Sequence, residues 1–138
     1  MKISENIKES INRSVKARRI VLATASKDGI PNAVPIGIVH FVDDETLLLV
    51  DNYFLKTRAN LESNPYAALT FWDMEFMATS AYQLKGSVKV ECSGQLYEKM
   101  RAEIKAINPN YSAKAIVLLK VEEIYDVRSG PNAGKKLE

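Results

Sequence analysis

The chain has 138 residues, of which 46% are hydrophobic and 26% charged, and its formal net charge is +2. This length and composition predict one folded domain over residues 1–138, exclude a disordered chain and argue against a nucleic-acid-binding surface. Because no apolar run could span a bilayer and the polar N-terminus lacks a signal-peptide core, we expect a cytoplasmic protein with no membrane partner.

The first half of the chain predicts a helix, three strands and a second, shorter helix. Ser4 is a suitable N-cap for a helix over about residues 4–18, whose basic residues at the end suit a helix C-terminus. The strands are predicted over residues 20–25, 32–42 and 47–51, and Asp28-Gly29 favours a tight turn between the first two. The short helix covers about residues 57–63.

The second half predicts three more strands and one more helix. Strands are expected over residues 66–72, 82–92 and 115–127, and a less regular stretch, residues 73–80, separates the first two. Apolar residues at helical spacing after Gly94 predict a helix that Asn108 and Pro109 end. Residues 128–138 are expected to form a flexible tail. Six strands and about three helices predict an α+β, mainly β protein built on an antiparallel barrel.

The single cysteine, Cys92, and the single histidine, His40, limit the chemistry that one chain can perform. They exclude an internal disulfide framework and a zinc site made of Cys and His ligands. Cys92 continues the apolar alternation of its strand, so we expect a buried, inert thiol. His40 lies in an apolar strand and is expected to be structural. No catalytic acid, base or nucleophile is therefore predicted.

A polar loop between an apolar strand and the short helix is the strongest candidate binding site. Val50, Asp51 and Asn52 end the strand, and Lys56 and Thr57 stand where the helix begins. A helix start offers unpaired N–H groups and a partial positive charge, to which Lys56 adds a full charge and Thr57 a hydroxyl. The pattern fits an anion site, and it fits equally well a solvated loop with a threonine N-cap.

The predicted strand over residues 32–42 is apolar on both faces, so a helix, a partner subunit or a ligand must cover its second face. Pro35 and Gly37 are poor strand residues, which indicates either an edge strand with a bulge or close approach of a flat ligand. Several aromatic residues add apolar surface nearby: Tyr53, Phe54, Trp72, Phe76 and Tyr82. Together with an anion site, these features fit a planar ligand that carries a phosphate.

Three groups of residues, in this order and spacing, carry a family resemblance. They are Leu22-Ala23-Thr24-Ala25 with Asp28-Gly29 and Pro31-Asn32-Ala33-Val34-Pro35; Asp51-Asn52 with Lys56-Thr57, Asn60-Leu61 and Asn64-Pro65; and Tyr82-Gln83-Leu84-Lys85-Gly86. Over residues 20–127 the chain resembles the FMN-binding split-barrel family, the pyridoxamine 5′-phosphate oxidase-like proteins. It is most similar to the short members of the small FMN-binding protein type.

The resemblance implies a six-stranded Greek-key split barrel that works as a homodimer, with FMN in a groove between the subunits. It implies a flavin-dependent oxidoreductase or electron-transfer protein with a small-molecule or protein redox partner. Two alternatives keep the fold: an F420-binding reductase, and a non-enzymatic flavin-binding or storage module. Oxidation of pyridoxamine 5′-phosphate itself is not expected, because the basic C-terminal segment of the true oxidase has no counterpart here.

The resemblance also assigns cofactor contacts by position. Lys56 and Thr57 match the family's phosphate-binding pair, although some members carry two basic residues there. The other positions match a strand along the flavin ring (Pro35, Ile36, Gly37), a strand end beside the ring and ribityl chain (Val50, Asp51, Asn52), and an outward strand face near the partner's cofactor (Gln83, Lys85).

Overall fold

The computed structural model describes residues 1–74 and 80–138, which form three helices and eight strands. The helices are α1 (Glu5–Lys16), α2 (Lys56–Ser63) and α3 (Gln95–Ile107). The strands are β1 (Ile20–Ala25), β2 (Pro31–Pro35), β3 (Val39–Phe41), β4 (Thr46–Asp51), β5 (Tyr66–Asp73), β6 (Ser80–Glu91), β7 (Ala115–Asp126) and β8 (Lys135–Lys136). Most of the irregular stretch predicted over residues 73–80, Phe76 included, lies outside the described residues.

All strands belong to one antiparallel sheet in the order β2-β1-β5-β6-β7-β4-β3, and β8 pairs with β7. Side chains from the middle and from both ends of this sheet share one core cluster with α1 and α2. Its members include Ile11, Leu22, Leu49, Leu61, Phe71, Leu84 and Leu119, with Val34 of β2 and Phe41 of β3 packed against it. The sheet therefore curls around its core, which confirms the mainly β, α+β class.

Helix α1 begins as predicted, because the Ser4 hydroxyl accepts a hydrogen bond from the Ile7 N–H at 3.3 Å. In β6 the side chains alternate between two faces as the period of two predicts: Leu84 and Val88 point to the core with the buried Gly86 between them, while Gln83 and Lys85 point outward. Strand β6 pairs with both β5 and β7 in the centre of the sheet.

The prediction of one continuous strand over residues 32–42 is wrong. The chain forms β2 and β3 instead, at opposite ends of the sheet. Pro35 has no N–H to donate, and the Ile36 N–H makes a final bond to the Ile20 carbonyl at 3.2 Å before the chain leaves the sheet. This division and the short β8 give eight strands where six were predicted.

The prediction that residues 128–138 form a flexible loop also differs from the structure. Lys135 and Lys136 pair with the end of β7, and the Leu137 N–H donates to the Ile124 carbonyl at 2.7 Å. Leu137 packs against the core. The chain can turn back towards β7 because Gly134 adopts φ +81°, a conformation that most other residues adopt only with strain.

Helix α3 lies on the outer side of the sheet, away from the main core. Met100 and Ile104 pack with Leu48, Val50 and Ile116 in a second cluster over β4 and the first half of β7. Helices α1 and α2 place their buried apolar residues in the main core. No helix of the described ranges therefore contributes buried side chains to the outer face of β1, β5 and the first half of β6.

Candidate functional site

Asp51 organises the polar loop between β4 and α2. Its side chain is fully buried, and Oδ1 accepts a hydrogen bond from the Phe54 N–H at 2.9 Å. Oδ2 accepts one from Arg58 Nη1 at 2.8 Å, and Lys114 Nζ lies 3.7 Å from Oδ1. The carboxylate therefore joins the loop to α2 and shapes it from inside.

Thr57 belongs to a hydrogen-bond network between α2 and the strands β1 and β2. Asn32 Nδ2 donates to Thr57 Oγ1 at 3.0 Å and to Thr24 Oγ1 at 3.3 Å. Asn60 Nδ2 donates to the same Thr24 oxygen at 3.1 Å. Because Thr57 is 2% exposed and its oxygen already accepts a bond, its side chain fixes the position of the helix.

Lys56 is the first residue of α2 and is exposed. It makes no hydrogen bond or ion pair within the part of the chain that the structure describes. The N-cap is Leu55, which has no capping side chain, and the first turn carries no acidic residue. The alternative of a threonine N-cap is therefore wrong, and the first turn keeps unpaired N–H groups beside a free lysine. This arrangement favours an anion.

A cavity of about 450 Å³ lies beside this loop. It brings together five of the predicted cofactor residues: Pro35, Ile36, Gly37, Val50 and Asn52. The rest of its lining is Val15, Lys16 and Arg18 at the end of α1, Val34 and Ile38 around the strand break, and Tyr53, Phe54 and Tyr111. The predicted residues Asp51, Lys56, Thr57, Gln83 and Lys85 do not line it.

The aromatic wall of the cavity is held by the loop that follows α3. Asn52 Oδ1 accepts a hydrogen bond from the Ala113 N–H at 2.8 Å. The Tyr53 hydroxyl donates to the Asn110 carbonyl at 3.1 Å, and the rings of Tyr53 and Tyr111 meet edge to face at 6.4 Å. The segment after the break at Pro35 also lines the cavity, and it belongs to no strand.

Sequence reasoning missed Lys16, Arg18 and Tyr111. The basic residues at the end of α1 had a local explanation in the helix dipole, which gave no reason to place them in a site. Tyr111 lies in a loop far along the chain from residues 50–54. Their convergence depends on how the sheet curls, and no local pattern carries that information.

Gln83 and Lys85 lie on the outer face of β6, opposite Thr70 and Ala68 of β5. Lys85 Nζ lies 6.0 Å from the centroid of the Tyr125 ring on β7. Neither residue lines the cavity of its own chain. Contact with a cofactor would therefore need a second subunit on this face.

The expectation of a buried thiol at Cys92 is wrong. The residue follows the end of β6 and is exposed, and its Sγ accepts a hydrogen bond from Arg58 Nη2 at 3.0 Å. His40 is half-buried in β3, opposite Leu48. The described residues contain no group of three His, Cys, Asp or Glu side chains that could hold a metal ion. No helix in the same ranges has the length and apolar character needed to cross a membrane.

Comparison with known proteins agrees with this architecture. The family model described as pyridoxamine 5′-phosphate oxidase matches residues 3–128. An uncharacterised protein of Methanocaldococcus jannaschii is 36% identical over 98% of this chain and 87% of its own length. The crystal structure of HupZ from group A Streptococcus is 30% identical, with a TM-score of 0.75 over 96% of this chain and 99% of that chain.

Structures of lower sequence identity share the fold, and their names refer to different ligands, FMN or haem. An FMN-binding protein from Syntrophomonas wolfei has a TM-score of 0.71 at 15% identity, over 88% of both chains. HutZ of Vibrio cholerae, a haem storage protein, has a TM-score of 0.64 at 18% identity, over 91% of this chain and 95% of that chain. On the family match and the closer relative, the chain belongs to the pyridoxamine 5′-phosphate oxidase-like family.

Proposed function

We propose that this protein is a flavoprotein that binds FMN non-covalently, with the flavin ring in the cavity and the phosphate at the start of α2. One observation carries the proposal. A cavity with apolar and aromatic side chains in its wall, formed in part by the segment after Pro35, lies beside a loop that ends in the free Lys56 and the uncapped first turn of α2. Flavin ring, ribityl chain and phosphate need these environments in that order.

The lining residues suit a flat aromatic ring. Ile36 and Val50 offer apolar surface, and a Cβ added at Gly37 would meet no atom within 4 Å, so the space beside this backbone is open. The Asn52 side chain adds a polar group, whose oxygen already accepts from Ala113. Residues 36–38 lie outside the strands, so their backbone groups, apart from the Ile36 N–H that bonds to the Ile20 carbonyl, would be available to the ring edge.

Bound FMN would supply the redox chemistry, and the protein would supply position and charge. We therefore propose an oxidoreductase or electron-transfer role with a small-molecule or protein redox partner. F420 is the alternative cofactor, and a flavin store without turnover is the alternative role. Reduction of the bound flavin by NADH, NADPH or a reductase would support turnover, and failure of all three would favour storage.

We propose further that two copies of the chain complete the site. The outer face of β1, β5 and β6 carries small and apolar residues such as Val21, Ala23 and Ala68, which no helix of the described ranges covers. A second subunit there would bury this face and bring Gln83 and Lys85 towards the partner's cofactor. A second subunit is proposed there because an apolar sheet surface is normally covered by another part of the protein or by a partner.

The haem proteins of the same fold make haem the main competing ligand. Iron in haem is held by His, Cys, Met or Tyr side chains. Of these types the described cavity lining contains two tyrosines, of which Tyr53 is engaged with the Asn110 carbonyl and Tyr111 is the one left to hold iron. Because that lining contains no His, Cys or Met, the cavity supports flavin better than haem.

The visible absorption spectrum of the purified protein, with mass identification of the released cofactor, tests this proposal. We expect a flavin spectrum as purified or after addition of FMN, and binding of FMN in preference to F420 in a competition titration. A protein that binds haem with a Soret band, and that shows no heat of FMN binding by calorimetry, would contradict it.

A further inference from the structure

Ala113 adopts a backbone conformation that is unusual for alanine. It has φ +45°, and within the described ranges Arg18 is the one other residue besides glycine with a positive φ. Ala113 is 2% exposed and stands in the loop between α3 and β7. Because a residue with a Cβ is strained in the left-handed region, other contacts must hold the backbone there.

Two hydrogen bonds connect the backbone of Ala113 to α3 and to the end of β4. Tyr97 on α3 donates from its buried hydroxyl to the Ala113 carbonyl at 2.8 Å. The Ala113 N–H donates to Asn52 Oδ1, also at 2.8 Å. The next residue, Lys114, donates its N–H to the Asp51 carbonyl at 2.8 Å, which fixes the segment further. A chain of hydrogen bonds therefore runs from Tyr97 through Ala113 to Asn52.

The bond from Ala113 determines which end of the Asn52 amide is left for a ligand. A backbone N–H can only donate, so the atom that it meets must be the amide oxygen and not the amide nitrogen. Asn52 lines the cavity, and within the described residues its Nδ2 makes no hydrogen bond. The cavity therefore has a neutral hydrogen-bond donor whose orientation is fixed by the loop behind it.

Asn52 differs in this respect from the charged side chains of the lining. Lys16 and Arg18 are exposed at the end of α1, on long side chains that a ligand would have to order. The Asn52 amide is already held by the fold before any ligand binds. A hydrogen bond to Nδ2 therefore costs little conformational entropy, which is the advantage of a preorganised group.

We propose that Ala113 is a positioning residue, which orients the Asn52 amide so that Nδ2 donates to the pyrimidine edge of the bound flavin ring. The inference rests on the proposed function, because it orients the flavin proposed above. The pyrimidine part of the ring carries carbonyl oxygens and nitrogen acceptors, whereas the dimethylbenzene edge carries none. The strain at Ala113 then has a role, since rare backbone conformations persist where a site needs a fixed geometry.

A donor at the pyrimidine edge favours reduced over oxidised FMN. The reduced ring carries negative charge on its pyrimidine part, and a hydrogen bond to a charged acceptor is about twice as strong as one between neutral groups. Asn52 should therefore raise the midpoint potential of the bound cofactor. Ala113 and Tyr97 would act on that potential without touching the flavin, through the orientation of the amide.

Substitutions along this chain of hydrogen bonds test the proposal. Asn52→Asp keeps the size of the side chain and the bond from Ala113, and it replaces the donor with a carboxylate oxygen. The control, Asn6→Asp, makes the same change in the exposed first turn of α1, outside the cavity lining. Tyr97→Phe removes the hydroxyl that holds Ala113 and leaves Asn52 intact. Calorimetry measures the affinity for oxidised FMN, and reduction beside a reference dye measures the midpoint potential.

We expect Asn52→Asp to lower the midpoint potential by about 30 mV or more, which corresponds to an affinity loss at least tenfold larger for reduced than for oxidised FMN. Tyr97→Phe should lower the potential by less, because the amide keeps its donor and loses its fixed orientation. Asn6→Asp should match wild type. Hydrogen exchange of the Ala113 N–H, measured by NMR without flavin, should be slow in wild type and Asn52→Asp and faster in Tyr97→Phe.

A wild-type potential in Asn52→Asp, or an equal shift in Asn6→Asp, would overturn the donor role of Asn52. A shift in Asn52→Asp together with a wild-type potential in Tyr97→Phe would overturn the positioning role of Ala113, as would rapid exchange of its N–H in wild type. Failure of the proposed function is a different result, since wild type would then bind no FMN, and that result would refute the flavin site and this inference together.

Discussion

The Asp51 carboxylate accepts a hydrogen bond from the Arg58 guanidinium at 2.8 Å, across the loop that joins β4 to α2. Arg58 also donates to Glu62 at 2.7 Å and to the Cys92 sulfur at 3.0 Å. The Asp51 carboxylate raises the pKa of Arg58 above its usual range. Because Asp51 is fully buried, this pair joins the end of β4 firmly to the first turn of the proposed phosphate-binding helix.

Asp51→Asn should destabilise the fold. It removes the buried charge and leaves Arg58 and Lys114 facing a neutral group. Breaking a buried pair usually costs about 3–5 kcal/mol, and partial exposure of the two cations reduces the expected loss to about 2–3 kcal/mol. Urea unfolding measures the change.

Glu62→Gln provides the control for that measurement, because it removes the other carboxylate that binds Arg58. The Glu62 side chain is 56% exposed, so its loss should cost about 0.5 kcal/mol or less. Equal destabilisation by both substitutions would show that Asp51 has no special structural role.

Lys56→Ala should weaken FMN binding by about tenfold or more and leave riboflavin binding nearly unchanged, because only FMN loses a charge-assisted phosphate contact. Arg58 cannot replace the lysine, since Asp51 and Glu62 already engage its guanidinium. Lys99→Ala, on the exposed side of α3, is the matched control. FMN and riboflavin are titrated in parallel, and an equal loss of affinity for both ligands in Lys56→Ala would contradict the role of Lys56.

Gly86→Ala should destabilise the protein strongly. A Cβ at this position would lie 1.8 Å from the Lys120 carbonyl oxygen, at the point where the register between β6 and β7 shifts. Both strands are central, so the clash cannot relax without loss of pairing. We expect a loss of about 3 kcal/mol or more in chemical denaturation.

Gly37→Ala is the matched control for Gly86→Ala, because an added Cβ there meets no atom within 4 Å. Its stability should stay within about 1 kcal/mol of wild type, since the backbone has no positive φ to strain. A Gly86→Ala protein as stable as Gly37→Ala would show that β6 and β7 do not approach as closely as described.

The local patterns predicted what local forces determine. Alternation in β6 predicted which residues face the core, because the period of a strand leaves only two choices of face. Ser4 and the helical spacing of the apolar residues that follow it predicted α1, because an N-cap and an apolar stripe are both local features of the sequence. The break at Pro35 was missed because both halves are apolar, and periodicity cannot show where a strand leaves the sheet.

Only those parts of the candidate site that are close together in the chain were predicted. The residues that converge at the cavity from nearby positions, Pro35 to Gly37 and Val50 to Asn52, carried visible signals. The phosphate contact of Thr57 stays a prediction, while the hydrogen bond that its oxygen accepts from Asn32, 25 residues away, had no signal in the sequence. Such a contact depends on the tertiary fold, as does the approach of Arg18 to the cavity.

We expect a homodimer that forms across the outer face of β1, β5 and β6. Light scattering should give twice the monomer mass for wild type, and Ala68→Arg should give monomers. Ala68 lies on that face opposite Lys85, so its arginine variant would place an unpaired charge in the interface without disturbing the core. Ala68→Ser keeps the size and should remain dimeric. Flavin bound with full affinity to monomeric Ala68→Arg would refute the two-subunit site, because one chain would then suffice to hold the ring and the phosphate.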